Sequence, residues 1–142
     1  MHMPKTPITE FFERFAIDSN SPDAAAAASH FADAFLAAGP NGAQAVKASD
    51  FALALPKRKQ LFASHRLRST TLESVQEKRL SDRYVLVETR WKMTFLREGG
   101  EEPIVAESVF IVDLEQEPFR IVFYLSKQDP IAMLKARETR SR

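Results

Sequence analysis

The sequence predicts an α+β fold in which a curved antiparallel sheet of four main strands wraps around N-terminal helices to form a cone. Three observations lead there. Apolar residues recur at helical spacing early in the chain, from Ile8, Phe11, Phe12 and Phe15 to Leu61 and Phe62. From Leu67 the rhythm becomes alternating, with Val85, Val87, Thr89, Trp91, Met93 and Phe95 at every second position. Helices in one block followed by strands in another indicate α+β organisation rather than repeated βαβ units.

The elements follow in order. Thr6-Pro7 supplies an N-cap and a proline at the first helical position, opening a short amphipathic helix to about Ile17. Ser21-Pro22-Asp23 repeats that chemistry, and Gly39-Pro40 supplies a stop. Between them the spacing predicts the longest helix, with Ala24, Ala27, Ala28, Phe31, Ala34, Phe35 and Ala38 on one face. Residues 40–49 read as loop with one short strand around Ala45-Val46, and Pro56 as the start of a further helix. Four strands follow at about 66–77, 84–97, 103–114 and 118–126, with Pro103 and Pro118 at strand starts where a missing N–H does least harm. Asp129-Pro130 opens a last short helix before a charged tail.

A turn around Glu98-Gly99-Gly100-Glu101 sets an expected register of Trp91 opposite Ser108 and Lys92 opposite Glu107, and places Thr89 beside Phe110. A turn at Glu115-Gln116 matches Phe110 with Ile121 and Ser108 with Phe123. One face then carries Val85, Val87, Thr89, Trp91, Met93, Phe95, Phe110, Ile121 and Phe123, and belongs under the helices. The opposite face mixes Arg90, Lys92, Glu107 and Tyr124 with Val109, Ile111 and Val122. It is too polar for a core and too apolar for an ordinary solvated surface, so it is expected to meet a second copy in a twofold dimer.

Composition narrows the function. The 142 residues make one domain, with the core over about 8–135. Twenty Lys+Arg balance nineteen Asp+Glu at a net charge of +1, so no global field draws the chain to nucleic acid or to an anionic membrane. The absence of cysteine excludes disulfides, cysteine-ligated metals and thiol nucleophiles. His2, His30 and His65 do not stand at ligand spacing with a carboxylate, so no metal is expected, and no cofactor. Glu10, Glu13 and Arg14 interrupt the N-terminal segment, and no stretch approaches the roughly 20 apolar residues of a membrane span. A cytoplasmic location is the expectation.

The alanine-rich segment ending Phe35-Leu36-Ala37-Ala38-Gly39-Pro40, the proline-led helix, and the strands Tyr84-Val85-Leu86-Val87-Glu88-Thr89-Arg90-Trp91 and Arg120-Ile121-Val122-Phe123-Tyr124-Leu125 together resemble the nuclear-transport-factor-2-like superfamily. This is the cystatin-like α+β cone that also contains ketosteroid isomerase, scytalone dehydratase and polyketide-cyclase-like proteins. The resemblance spans about residues 8–135 and rests on element order and hydrophobic rhythm. It implies a conical pocket between the concave sheet face and the helices, and frequent homodimers. Function must come from the site, because one such shape serves catalytic and non-catalytic members alike.

Candidate site residues follow from the expected faces. Phe31, Phe35, Thr89, Trp91, Ser108, Phe110 and Phe123 are expected to line a pocket for a small, mostly apolar ligand. Arg90, Lys92, Glu107, Val109, Ile111, Val122 and Tyr124 are expected at the dimer interface. His30 and Asp33, three apart on the expected long helix, form a candidate base and its orienting carboxylate. Trp91 needs an acceptor for its indole N–H, and Ser108 is the expected one. Lys57, Arg58, Lys59, Arg66 and Arg68 form a basic cluster containing only one aromatic, Phe62, which suits an anionic group on a small ligand better than a nucleic-acid backbone. The leading reading is a homodimeric pocket protein of unassigned reaction. A cofactor-free isomerase, dehydratase or cyclase is the second, and a non-catalytic interaction or scaffold module with a self-filled cavity is the third.

Overall fold

The structure is a computed structural model and describes residues 5–140. His2 lies outside the described residues. Within them the order is α1 (Pro7–Ser19), α2 (Ala24–Ala28), β1 (Phe31–Gly39), β2 (Gly42–Lys47), α3 (Ala48–Ser64), β3 (Leu67–Arg79), β4 (Tyr84–Arg97), β5 (Gly100–Asp113), β6 (Arg120–Ser126) and α4 (Pro130–Arg140). The strands form one curved, unclosed sheet in the order β2-β1-β6-β5-β4-β3. All neighbours pair antiparallel except β1 and β6, which are parallel. The α+β class stands as expected, with six strands in place of four.

Helix α1 forms where its sequence cues lie. Thr6 Oγ1 accepts from the Thr9 N–H at 3.1 Å, Pro7 opens the first turn, and Ile8, Phe12 and Phe15 are buried on one stripe. That stripe packs into the concave face of the sheet, where Phe12 and Phe15 meet Phe110, Trp91 and Phe31. A second cluster forms under α4, whose Ile131 and Leu134 pack with Phe62, Met93, Phe95 and Ile104. Asp129 Oδ1 caps α4 by accepting from the N–H groups of Ile131 and Ala132.

The alanine-rich segment departs from expectation. Its helix, α2, is only the five alanines 24–28, and residues 31–39 are strand β1. Phe31 and Phe35 are both buried and their rings meet at 4.5 Å, but they do so along a strand whose pairing with β6 is irregular between Phe31 and Leu36. An i, i+4 pair of buried rings therefore arises without a helix. Helix propensity separates ordinary residues by at most about 0.7 kcal/mol each, so the non-local ladder to β6 and the hairpin to β2 outweigh it. The two-residue turn Pro40-Asn41 joins Gly39 to Gly42, whose φ of 129° favours glycine, so Gly39-Pro40 opens a hairpin and does not stop a helix.

Helix α3 starts at Ala48, eight residues before the proline expected to open it. Pro56 lies in the helix interior on its exposed side, and the burial of Leu55 and Phe62 on either side of it holds both halves against the core. The alanines of α2 serve this packing, because Ala27 and Ala28 let Leu55 approach closely.

Two registers also differ from expectation, with unequal consequences. Between β4 and β5 the partners are Arg97↔Gly100, Trp91↔Ala106, Thr89↔Ser108 and Val87↔Phe110, two residues from the expected pairing. Gly99 and Gly100, at φ 90° and 151°, allow this tighter turn. An even slip leaves every side chain on its expected face. Between β5 and β6 the partners are Phe110↔Tyr124, Ser108↔Ser126 and Ile111↔Phe123, an odd slip, with an irregularity between Ile111 and Val112. Tyr124 and Ser126 thus turn to the concave face, and Phe123 turns away from it. The connection accounts for two residues of the slip, since Val112↔Ile121 and Asp113↔Arg120 keep Ile121 inward, and the irregularity beyond it, with Val122 as the extra residue of β6, supplies the odd one. At the connection the Asp113 carboxylate takes two bonds of 2.9 Å from Arg83 and also accepts from the Glu115 N–H and from Gln116, holding a wider loop than a tight turn at Glu115-Gln116.

Candidate functional site

A cavity of about 510 Å3 opens between the concave sheet face and α1, α2 and α3. Its deep wall comes from the sheet. Trp91 and Met93 of β4, Ala106, Ser108 and Phe110 of β5, and Tyr124 and Ser126 of β6 all face it. The helical wall is Phe15 of α1, Ala27 of α2, and Phe51, Leu55 and Phe62 of α3, and β1 adds Phe31. The rim carries exposed residues, among them Asn20, Pro22, Arg58, Arg68 and Ser69. The body of the cavity is thus aromatic and apolar, while its edge is polar.

Trp91 is positioned by a short relay. Its indole Nε1–H donates to Thr89 Oγ1 at 2.7 Å, and Thr89 Oγ1 donates to the Ser108 carbonyl at 3.2 Å. The sequence predicts Ser108 as the acceptor, but the two-residue slip sets Thr89 opposite Ser108, and Thr89, on the same face as Trp91, receives the bond. With its polar atom satisfied, the indole is 8% exposed and offers its ring to the cavity. The Ser108 side chain is left facing the cavity. Ser108 and Tyr124 both line the cavity, so two hydroxyl-bearing side chains belong to its largely apolar sheet wall. The Tyr124 ring lies on Phe110 at 5.1 Å between centroids.

The expected site residues therefore divide. Phe31, Trp91, Ser108 and Phe110 line the cavity. Phe35 is buried in the core beside Phe31 and Phe51 rather than on the lining, and Thr89 supports Trp91 from behind. Phe123, expected inside, pairs with Ile111 on the convex face, and Tyr124, expected outside at a dimer contact, has taken its place. Arg90, Lys92, Glu107, Val109 and Ile111 lie on the convex side, where Arg90 rather than Lys92 stands opposite Glu107, and Val122 falls at the irregularity of β6, without a partner in the β5 ladder. Phe15, Phe51, Leu55 and Phe62 escape a sequence-based search for the site. Their apolar character signals burial, and nothing local distinguishes a packed core from a cavity wall.

His30 and Asp33 are not brought together. His30 precedes β1, where its Nε2 bonds Asp18 Oδ2 at 2.6 Å, while Asp33 is exposed on the strand. The helical spacing that would pair them does not exist, because the segment is extended. Neither residue lines the cavity. The His30 ring is packed edge-on to Phe11 and Phe15 at 5.3 and 5.7 Å, and its bond holds the Asp18 carboxyl below the usual carboxylate range. The pair ties the end of α1 to the start of β1. His65 caps the end of α3, its N–H donating to the Phe62 carbonyl at 3.1 Å. Among the described residues no three His, Asp or Glu gather to hold a metal, and no helix is long and apolar enough to cross a membrane.

No family model matches the chain, and no curated protein matches its sequence. Solved structures do match over most of its length. One is a nuclear-transport-factor-2-like protein with a cystatin-like fold from Novosphingobium aromaticivorans, 11% identical, with a TM-score of 0.71 over 85% of this chain and 79% of that one. The chain has the nuclear-transport-factor-2-like fold. Two further structural neighbours are Aln2 from a Streptomyces species and the beta subunit of the benzoate 1,2-dioxygenase from Burkholderia mallei. Aln2 is 10% identical with a TM-score of 0.72, covering 94% of this chain and 99% of its own. The dioxygenase subunit is 13% identical with a TM-score of 0.68, covering 91% and 93%. At such identities the likeness concerns the fold, and the cavity residues have to be read on their own chemistry.

Proposed function

We propose that this chain is a small-molecule-binding protein whose cone holds one mostly apolar ligand, and that it works as a homodimer through the convex sheet face. The observation that carries the first part is the cavity of about 510 Å3 bounded by Phe15, Phe31, Phe51, Phe62, Trp91 and Phe110. Its volume falls in the usual range of ligand pockets, roughly 300–1,000 Å3, and a few polar groups in an apolar enclosure are what orient a bound molecule. A self-filled core, as the scaffold reading requires, does not fit that space. Burial of an apolar ligand supplies the affinity, and the hydroxyls of Ser108 and Tyr124 give it an orientation. Acid–base chemistry has less support. Among the described lining residues there is no carboxylate or imidazole.

The dimer rests on the convex face, where Leu36 is 41% exposed beside half-buried Ile111, Phe123 and Leu125. The test of the binding function uses Trp91, the single tryptophan of the chain, as a reporter on the cavity wall. Titration with neutral bicyclic and tricyclic ketones is expected to change its emission saturably, with one site per chain. Emission that shifts for none of them, or only linearly with concentration, would refute the reading.

A further inference from the structure

The charges on the cavity lining have one sign. Three side chains there are cationic, Arg58, Lys59 and Arg68, and among the described lining residues none is Asp, Glu or His. The three cations are not equivalent. Lys59 Nζ donates to the Ser21 carbonyl, and Arg68 is ion-paired with Glu101. Arg58 has no carboxylate partner among the described residues, and its guanidinium lies 5.0 Å above the Phe62 ring. Phe62 is buried and Arg58 exposed, so the pair spans the passage from apolar wall to rim. An unneutralised guanidinium held by a ring at the mouth of an aromatic cavity is a built anion contact, with planar donors suited to two acceptor oxygens at once.

Resting on the binding function above, we propose that the ligand is an apolar organic monoanion, its aromatic or alicyclic body in the cone and its carboxylate or sulfonate at the rim on Arg58. Body and charge are then recognised by different elements. Trp91, Phe110 and Phe31 enclose the hydrocarbon, and α3 reads the anion. Arg58 lies at the surface, where water and salt compete for it, so the gain over a neutral molecule of the same shape is modest. It is expected at about 5- to 20-fold at low ionic strength, equal to roughly 1–1.8 kcal/mol at 1.4 kcal/mol per tenfold.

The probes are 8-anilinonaphthalene-1-sulfonate and N-phenyl-1-naphthylamine, which share one aromatic skeleton with and without the sulfonate, and 2-naphthoate serves as the carboxylate competitor. Fluorescence titrations of the wild-type chain, Arg58→Gln, Arg58→Lys and the cavity-filling Ala106→Phe give the affinities. Far-UV circular dichroism verifies each fold, and Ser108→Leu replaces Ala106→Phe if that variant does not fold. The sulfonate is expected to bind more tightly than the neutral dye and to yield to 2-naphthoate. That advantage should fall as salt rises, disappear in Arg58→Gln and largely persist in Arg58→Lys, with the neutral dye unaffected by either. Equal binding of the two dyes, or an advantage that survives in Arg58→Gln, overturns the anion assignment while loss of both dyes on filling the cavity leaves the binding function standing. If both dyes still bind the filled variants, the cavity is not their site, and that outcome overturns both readings.

Discussion

Replacement of Asp113 by Asn tests the anchor of the connection between β5 and β6. The Asp113 side chain is 2% exposed and accepts two bonds of 2.9 Å from Arg83, with further bonds from the Glu115 N–H and Gln116. Arg83 and these bonds hold its carboxyl at about 2, below its ordinary 3.8. A folded-state value below the unfolded one stabilises the fold above about pH 4, and that contribution disappears as pH falls from there through about 2. At 1.36 kcal/mol per pH unit the difference is at most about 2.5 kcal/mol, and screening at the half-exposed Arg83 brings it to roughly 1–2 kcal/mol. Asn also removes a charge from a buried pair, so the cost at pH 7 is expected at about 2–4 kcal/mol. Urea unfolding followed by Trp91 emission at pH 7, 4, 3 and 2.5 measures both effects. The wild-type stability should fall between pH 4 and 2.5 by about 0.5–1 kcal/mol more than that of Asp113→Asn, because a folded-state value of about 2 leaves part of the contribution in place at pH 2.5; the residual slope of the variant includes Asp18, another carboxyl held low in the fold. Parallel slopes, or equal stability at pH 7, would refute the assignment of this carboxylate as the anchor of the β5–β6 connection.

Two other predictions concern residues outside the cavity. A double-mutant cycle of Asp18→Asn and His30→Gln should give a coupling of about 1–2 kcal/mol in thermal or urea unfolding, with dye affinity in the cavity unchanged, because the pair at 2.6 Å ties α1 to β1 and does not line the site. A coupling near zero would remove that role. Sedimentation should show the wild-type chain as a dimer, and the surface change Leu36→Glu, reinforced by Ile111→Glu, should give a folded monomer; a dimer that survives both changes places the contact away from the convex face.

What could be read from the sequence divides along a physical line between local and non-local determinants. The capped α1 and the alternation of β4 are local, since Thr6-Pro7 and the spacing of Val85 to Phe95 declare themselves within a few residues. Strand β1 is not. Its composition is that of a helix, and it is extended because β6 and β2 supply its ladder, a contact that no short window contains. The faces of the sheet separate the cases further. The tighter turn at Glu98–Gly100 costs the expected faces nothing, because two residues restore the phase and Trp91 still points inward. The extra residue of β6 at Val122, opposite the step from Ile111 to Val112, makes the shift of the rest of the strand odd, and that exchanges Phe123 for Tyr124 on the cavity wall. The Tyr124 side chain thus reaches the cavity through an irregularity inside a regular-looking strand, which no local sequence cue marks. The basic cluster between α3 and the start of β3 is likewise sorted only by non-local contacts. Its five charges look alike in sequence, and only the placement of Glu101, Ser21 and Phe62 leaves Arg58 at the rim without an anion to meet.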